Sequence, residues 1–438
     1  MFGGVYATSG LLLTAAMLVL SVNAGLRRPA TRALRVLDVT LTVIVGAALF
    51  QLVPLPDDVV RALSPARGAF VATNALTPVT SAFAPLTLSV SDTAHAALTL
   101  FSIVLTFWTA RSIFSRGGIR TFTIIVAWGA IVFAIVAFAQ HASGTPLVYG
   151  FWRPRESGAW PLGPFINRNH FGTWGIMASC ACLGHLQWRR EKPLSAPKWR
   201  VRLAGWMDGR GIVLQLAVML VATVIALGAS RSALVALACA AGYFAFCAAG
   251  VRTGVRAQVP LALLGVSAIA GMVTYGNPGH LLLRLDETRE QGLASRTGIW
   301  RDAVPVMRDY TLTGVGAGAF GTAMRMYQTT PRTYYHNEAH NQYVQLLAEG
   351  GMLLTVPVSI ALIAFAVAAR DRLARRDDPV RWMRVASASA LVGVAVQSLW
   401  ETGLTLPANG MFAAALAGLL VHETAGASTT KPNSKGLG

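Results

Sequence analysis

Charge is what these residues most lack. Asp, Glu, Lys and Arg make up 13% of the sequence, about half the share a soluble domain carries. That scarcity excludes a chain with an ordinary solvated surface. Cysteine is nearly absent as well. Cys180, Cys182, Cys239 and Cys247 all fall inside apolar runs, and no polar loop contains one. Such placement argues against a disulfide framework or a cysteine-rich metal site; buried small hydrophobes are the expected role. Acid is scarcer than base, 19 Asp and Glu against 37 Lys and Arg. A basic excess can mean nucleic acid, but that reading needs the charge gathered on a soluble face. Here it sits in short loops between apolar runs, as orientation in a membrane requires. No nucleic-acid partner is expected. A cleavable leader is not expected either, because residues 5–22 have no basic stretch before them and no A-x-A-like site after them.

Hydrophobic sequence is what the chain has in quantity, at 54% of residues and a mean hydropathy of +0.52. Runs near the ~20 residues needed to cross a bilayer as a helix recur along its whole length. Expected spans cover 5–25, 36–53, 93–110, 121–140, 169–187, 212–229, 232–250, 259–275, 345–369, 385–400 and 411–422. The expected fold class is therefore all-α, a polytopic helical membrane protein of about 11–12 spans with a large external loop domain. It divides into a transmembrane bundle at 1–275, a large periplasmic loop at 276–344, and C-terminal transmembrane helices with a cytoplasmic tail at 345–438.

The loops that follow the odd-numbered spans, together with the tail, hold most of the Lys and Arg, including Lys192, Lys198, Lys431 and Lys435. The positive-inside rule makes those loops cytoplasmic and the others external. It puts the N-terminus outside, the C-terminus inside, and the long polar segment 295–351 on the external face.

That segment runs against the rule that orients the rest. Arg284, Arg289, Arg296, Arg301, Arg308, Arg325 and Arg332 lie in or just before it. Either its own acids pair with them or a large anionic ligand does, since arginine suits fork-like binding of phosphate oxygens. Arg231 lies between two apolar runs with almost no loop. It either snorkels to the interface or, flanked by Gly228, Ala229, Ser230, Ser232 and Ala233, leaves room for a ligand. His336 and His340 are spaced i, i+4 and would share one face of a helix. The zinc-protease pattern fails, because Asn337 stands where the glutamate is required and Glu338 points elsewhere. His340, at the start of the next span, is placed to act as a general base. GVGAGAFG at 314–321 lacks the preceding strand of a dinucleotide site, so it is a packed turn or a backbone-amide nest for phosphate. Arg168, Asn169 and His170 open the fifth span, where they either cap a helix or reach a headgroup.

Taken together, SRSALVAL, SRTGIWRDAVPVMRDYTLTGVGAGAF and AHNQYVQLLAEGG, with RNHF in the earlier loop, resemble the O-antigen ligase and O-antigen polymerase superfamily. The resemblance runs from about Arg231 to Leu353. Within it, His340, Asn341 and Gly351 match a His-Asn, nine residues, Gly motif, whereas Leu354 departs from the Gly, Thr or Tyr of the ligase pattern. The resemblance implies a GT-C-like bundle in the bacterial inner (cytoplasmic) membrane with its active site facing the periplasm. It also implies a metal-independent, cofactor-free inverting glycosyltransferase. The donor would be an undecaprenyl-diphosphate-linked glycan, and the acceptor saccharide a lipid A core for a ligase or a growing polysaccharide for a polymerase. His340, Arg296 and Arg231 are the implied catalytic residues; Arg168, Asn169, Arg301, His336 and Asn341 are expected to bind substrate. A transporter for an anionic substrate is the competing class, but it would hold its charges near mid-membrane, often in paired repeats. No repeat is evident.

Overall fold

The computed structural model describes residues 2–4, 7–74, 82–145, 147–154, 161–190, 209–228, 230–249, 296–329 and 335–423. It is all-α apart from a two-residue antiparallel pairing of β1 (Leu55–Pro56) with β2 (Phe83–Ala84). In chain order come α1 (Ala7–Ala24), α2 (Arg32–Phe50), α3 (Asp57–Leu63), α4 (Pro65–Asn74), α5 (Val90–Phe114), α6 (Ile119–Ser143) and α7 (Arg168–Arg190). They are followed by α8 (Gly209–Leu227) and α9 (Arg231–Ala249). Then come α10 (296–309), α11 (Phe320–Tyr327), α12 (Gln342–Leu373), α13 (Arg381–Gln397) and α14 (Pro407–Val421).

Six of these, α2, α5, α6, α8, α9 and α12, are long and apolar enough to cross a membrane, and α1 and α14 hold shorter apolar helices. The protein is an all-α polytopic membrane protein. Every expected span coincides with a helix except 259–275, which lies outside the described residues. Between the second and third expected spans lie further elements, α3, α4 and the small β pair. Two acids, Asp57 and Asp58, in the first turn of α3 complement the helix dipole there.

Helix α7 sits at the centre. It touches α6, α8, α9, α13 and α14, and Phe171, Ile176, Met177, Ala178, Ala181 and Cys182 are essentially inaccessible. Its partners approach closely where side chains are small. A Cβ on Gly184 would lie 2.4 Å from Ala386 Cβ, and one on Gly393 of α13 would lie 2.9 Å from the Ala236 carbonyl of α9. Helix contacts in lipid favour such small residues, because lipid tails are as apolar as leucine and packing alone must drive association. Cys180 and Cys182 are buried as expected; Cys239 is exposed on α9 and Cys247 is partly buried. An exposed cysteine in an apolar helix needs no aqueous explanation, since the surface it joins faces hydrocarbon.

Buried hydroxyls fix how the helices run. Thr14 pairs with Ser102 and Ser21 with Thr109, each at 2.6 Å. The constant offset makes α1 and α5 parallel. Gly4 abuts Pro407, and the amide of Ala30 donates to Glu423. The start of α1 therefore lies at the same end of the bundle as the start of α14, and the end of α1 lies with the end of α14.

Helix α12 starts from Asn341, whose side-chain oxygen accepts from the amides of Tyr343 and Val344 at 2.9 and 3.2 Å. It breaks at Gly351, at φ 51° and ψ −152°. Only glycine adopts that conformation readily. The break turns backbone groups outward, and the glycine-rich turn uses them. Val315 and Gly316 donate to the carbonyls of Ala348 and Glu349, and Met352 and Leu353 donate to those of Thr311 and Leu312, all within 2.8–3.1 Å. Gln51 closes the knot, donating to Thr313 and Glu349 carbonyls and accepting from the Ala317 amide. Of the two readings of GVGAGAFG, the packed turn is the one observed. Gly314 is needed because a Cβ there would lie 2.1 Å from the Glu349 carbonyl oxygen.

Candidate functional site

Glu401 is the centre of the site, and it lies just past the end of α13. It is 1% exposed. A carboxylate this deep must be paired or it would not remain charged. Its Oε1 accepts from Arg296 Nη2 at 2.7 Å and from Asn169 Nδ2 at 2.6 Å. Its Oε2 faces His340 Nδ1 at 3.9 Å, an ion-pair distance too long for a hydrogen bond. Three residues from three distant parts of the chain thus meet on one acid.

Each is placed by its own element. Asn169 stands at the start of α7, where Asn167 Oδ1 accepts from its amide at 2.8 Å and Gln397 of α13 donates to its carbonyl at 3.0 Å. Arg296 opens α10, the helix that carries Trp300, and Trp300 Nε1 donates to the Ala339 carbonyl at 2.9 Å. His340 follows directly. Gln345 Oε1 accepts from the Ala339 amide at 2.7 Å, and the Gln342 amide donates to Ser398 O at 2.9 Å. Held from both sides, His340 takes φ 48°, an uncommon conformation for a residue with a side chain and one that collects at functional sites.

This geometry corrects the helical reading of the two histidines. Residues 335–340 are not helical, so i, i+4 spacing puts no common face on them, and α12 begins only after His340. Glu338 is also closer to the site than expected, because Thr402 Oγ1, next to Glu401, donates to it. The electrostatics separate the two imidazoles. For His340, burial and the nearby charge of Arg296 favour the neutral form, but Glu401 and Glu338 outweigh them, and the ring is held above its ordinary value. His336 is held below its own by burial and by the charge of His340, against a smaller pull from Asp302. Environments that push two like groups apart are what acid–base assignments require.

The other expected residues are divided. Arg231 opens α9 next to α7: a Cβ on Gly172 would lie 2.5 Å from Ala233 Cβ and 3.5 Å from Gln397 Nε2. The start of α9 is thereby brought beside the turn that carries Asn169. Arg168 is half-buried on that same turn. Asn341 is the N-cap of α12, which occupies its oxygen and leaves only its amide N–H groups for a ligand. Arg301 is exposed, and five residues from Arg296 it points about 140° away around the helix. It is not part of the Glu401 cluster.

Glu401 itself was not singled out by sequence. One signal could have found it: between Val385 and Val421 it is the lone charged residue, and an isolated acid at a span end is a functional hypothesis by default. Several buried polar atoms on the elements that meet here have no hydrogen-bond partner: His340 Nδ1, Glu401 Oε2, His170 Nε2, Gln397 Oε1 and Asn409 Oδ1. Native interiors leave few such groups.

The search of curated proteins returned no match to this chain. A family model described as O-Antigen ligase matches residues 216–359, roughly a third of the sequence, and that segment holds Arg231, Arg296, His340 and Gly351 but neither Asn169 nor Glu401. Over that segment the chain is similar to the O-antigen ligase family, in line with the superfamily its motifs resemble.

Proposed function

We propose that this protein is a metal-independent glycosyltransferase that moves a glycan from undecaprenyl diphosphate to an acceptor sugar at the external face of the bacterial inner membrane. The observation that carries the reading is the meeting of Arg296, His340 and Asn169 on buried Glu401, with Arg231 at the neighbouring helix start. A polyprenyl tail would remain in the bilayer while its diphosphate reached the arginines at the surface.

The acceptor hydroxyl attacks the anomeric carbon, and the carbon–oxygen bond to the diphosphate breaks with its electron pair going to the diphosphate. Configuration inverts. Arg231 and Arg296 stabilise the charge that develops on the departing group, and the hydroxyl proton passes to His340. Glu401, facing Nδ1, orients the ring so that Nε2 is the nitrogen available for that proton, the role a buried acid plays behind a catalytic histidine. A ligase and a polymerase make the same bond change and differ in acceptor, a lipid A core or a second lipid-linked glycan. Leu354 departs from the ligase pattern, yet it is buried at 3% exposure and packs on Gly350, away from the cluster.

In vesicles that contain the purified protein, a lipid-linked donor and an acceptor, Arg231→Ala and His340→Ala should each lower transfer about a thousandfold or more with membrane levels unchanged. Wild-type-like transfer by either variant sinks the assignment.

A further inference from the structure

The opposite end of the bundle carries a second polar feature that the transfer reaction does not use. A cavity of about 340 Å³ opens there, lined by Leu26, Arg27, Arg28, Asp38, Trp108 and Arg111 among others. Helices α1 and α2 both pack along α5 but form no extended interface with each other. The cavity is the end of the groove this leaves, with α5 as its floor.

The arginines at this end fall into two groups. Arg111, 5% exposed, is committed to Asp38 through Nη1 and Nη2 at 2.8 and 2.6 Å, and Asp38 also accepts from Trp108 Nε1 at 2.9 Å. Arg116 caps the end of α1 through the carbonyls of Ala24 and Gly25. Arg27 and Arg28 are exposed, and the described residues give neither guanidinium a hydrogen bond or an ion pair. With the Arg111–Asp38 pair self-neutralised, the cavity presents two positive charges. Arg32 and Arg35, on the first turns of α2, add to the same field.

Above the cavity the wall is oily. Val36, Val39, Val43 and Phe50 on α2 are 38%, 63%, 49% and 40% exposed, and their spacing makes one stripe along the helix. Val19, Val22 and Leu26 of α1 are exposed as well. A cationic pocket at the foot of an apolar stripe matches a molecule with a phosphate at one end and acyl chains at the other. A soluble anion would have no use for the stripe. Basic pockets between transmembrane helices hold the headgroups of anionic lipids in just this way.

We propose that the Arg27–Arg28 cavity binds the phosphodiester headgroup of an anionic phospholipid, with its acyl chains lying along α2. The two arginines fork onto phosphate oxygens, and Trp108, its indole N–H held by Asp38, forms the wall at headgroup depth. The proposal does not depend on the transfer reaction, so each can fail alone.

The test is native mass spectrometry of the purified full chain in detergent, titrated with phosphatidylglycerol, cardiolipin or phosphatidylcholine. The anionic lipids should be retained and phosphatidylcholine should not. The R27Q/R28Q double variant should weaken anionic-lipid retention about tenfold or more. R375Q/R376Q, which removes the same charge from exposed positions outside the cavity, should leave it within about twofold. Equal retention of phosphatidylcholine, an undiminished R27Q/R28Q complex, or equal losses in the two double variants would overturn the proposal. Displacement of the lipid by millimolar inorganic phosphate would also overturn it, assigning the cavity to a soluble anion.

Discussion

Helix α13 has a buried arginine–acid pair at each end, and the two are built to different standards. At its start Arg384, 1% exposed, donates to Asp378 at 2.9 Å and to the carbonyls of Leu420 and Leu419 at 2.6 and 3.4 Å. It closes the final turn of α14, where carbonyls have no helical partner. Past its other end, Arg296 meets Glu401 through one hydrogen bond, keeps 26% of its side chain exposed, and is surrounded by polar atoms without partners. The first pair is complete and holds helices together. The second leaves part of its hydrogen-bonding capacity unused, as the proposed function requires of a site that takes a ligand. Buried ion pairs are weak evidence for stability in general, and this contrast shows what separates a structural pair from a working one: how many of the lone pairs and protons the protein itself satisfies.

Removing the arginines should break the comparison open. Arg384→Ala leaves Asp378 and the Leu420 carbonyl uncompensated and should cost about 3–5 kcal/mol, read as a large fall in detergent melting temperature and membrane yield. Arg296→Ala, whose guanidinium is partly exposed and whose acid keeps Asn169, should lower both distinctly less while abolishing glycan transfer. If instead Arg296→Ala destabilises the protein as much as Arg384→Ala does, the Glu401 cluster is structural.

A second, intermediate effect concerns pH. His340 acts as a base only when neutral, and its pKa is raised, so transfer should fall as pH drops through a midpoint above the ordinary histidine value. Glu401→Gln removes the acid that raises it and should move that limb of the pH–rate profile to lower pH, along with a loss of rate. A limb that stays in place would mean that His340 is not the titrating group. The smallest effect is expected at Arg301. Exposed and on another face of α10, Arg301→Gln should change transfer by less than about twofold, within the range of ordinary surface substitutions.

The apolar runs of the sequence state the fold openly, because hydrocarbon demands long helices whose backbones satisfy themselves. Arg296, His340 and Arg231 were legible as candidates through motif. What stayed hidden was the acid that joins two of them to Asn169. Glu401 follows an apolar run and reads as an interface residue; nothing local says that residues 105 and 232 positions away in the chain will bond to it. The histidine pair failed for a related reason. Spacing of i, i+4 carries meaning only inside a helix, and with its cap at Asn341 that helix starts only after both histidines. The glycine-rich turn could be narrowed to two readings but not resolved, since its hydrogen-bond partners are exposed only by the break at Gly351.

The central position of α7 has a consequence for how the protein is made. A segment enters the bilayer from the insertion machinery by its own transfer free energy, and α7, with His170, His185, Gln187 and many small residues, has little to offer. Its buried faces are matched to protein neighbours rather than to lipid. The helix that carries Asn169 to the site must therefore gain its place cooperatively, held by α6 before it and α8 and α9 after it. Among the described helices of the bundle, the one that carries Asn169 is the least able to become transmembrane alone.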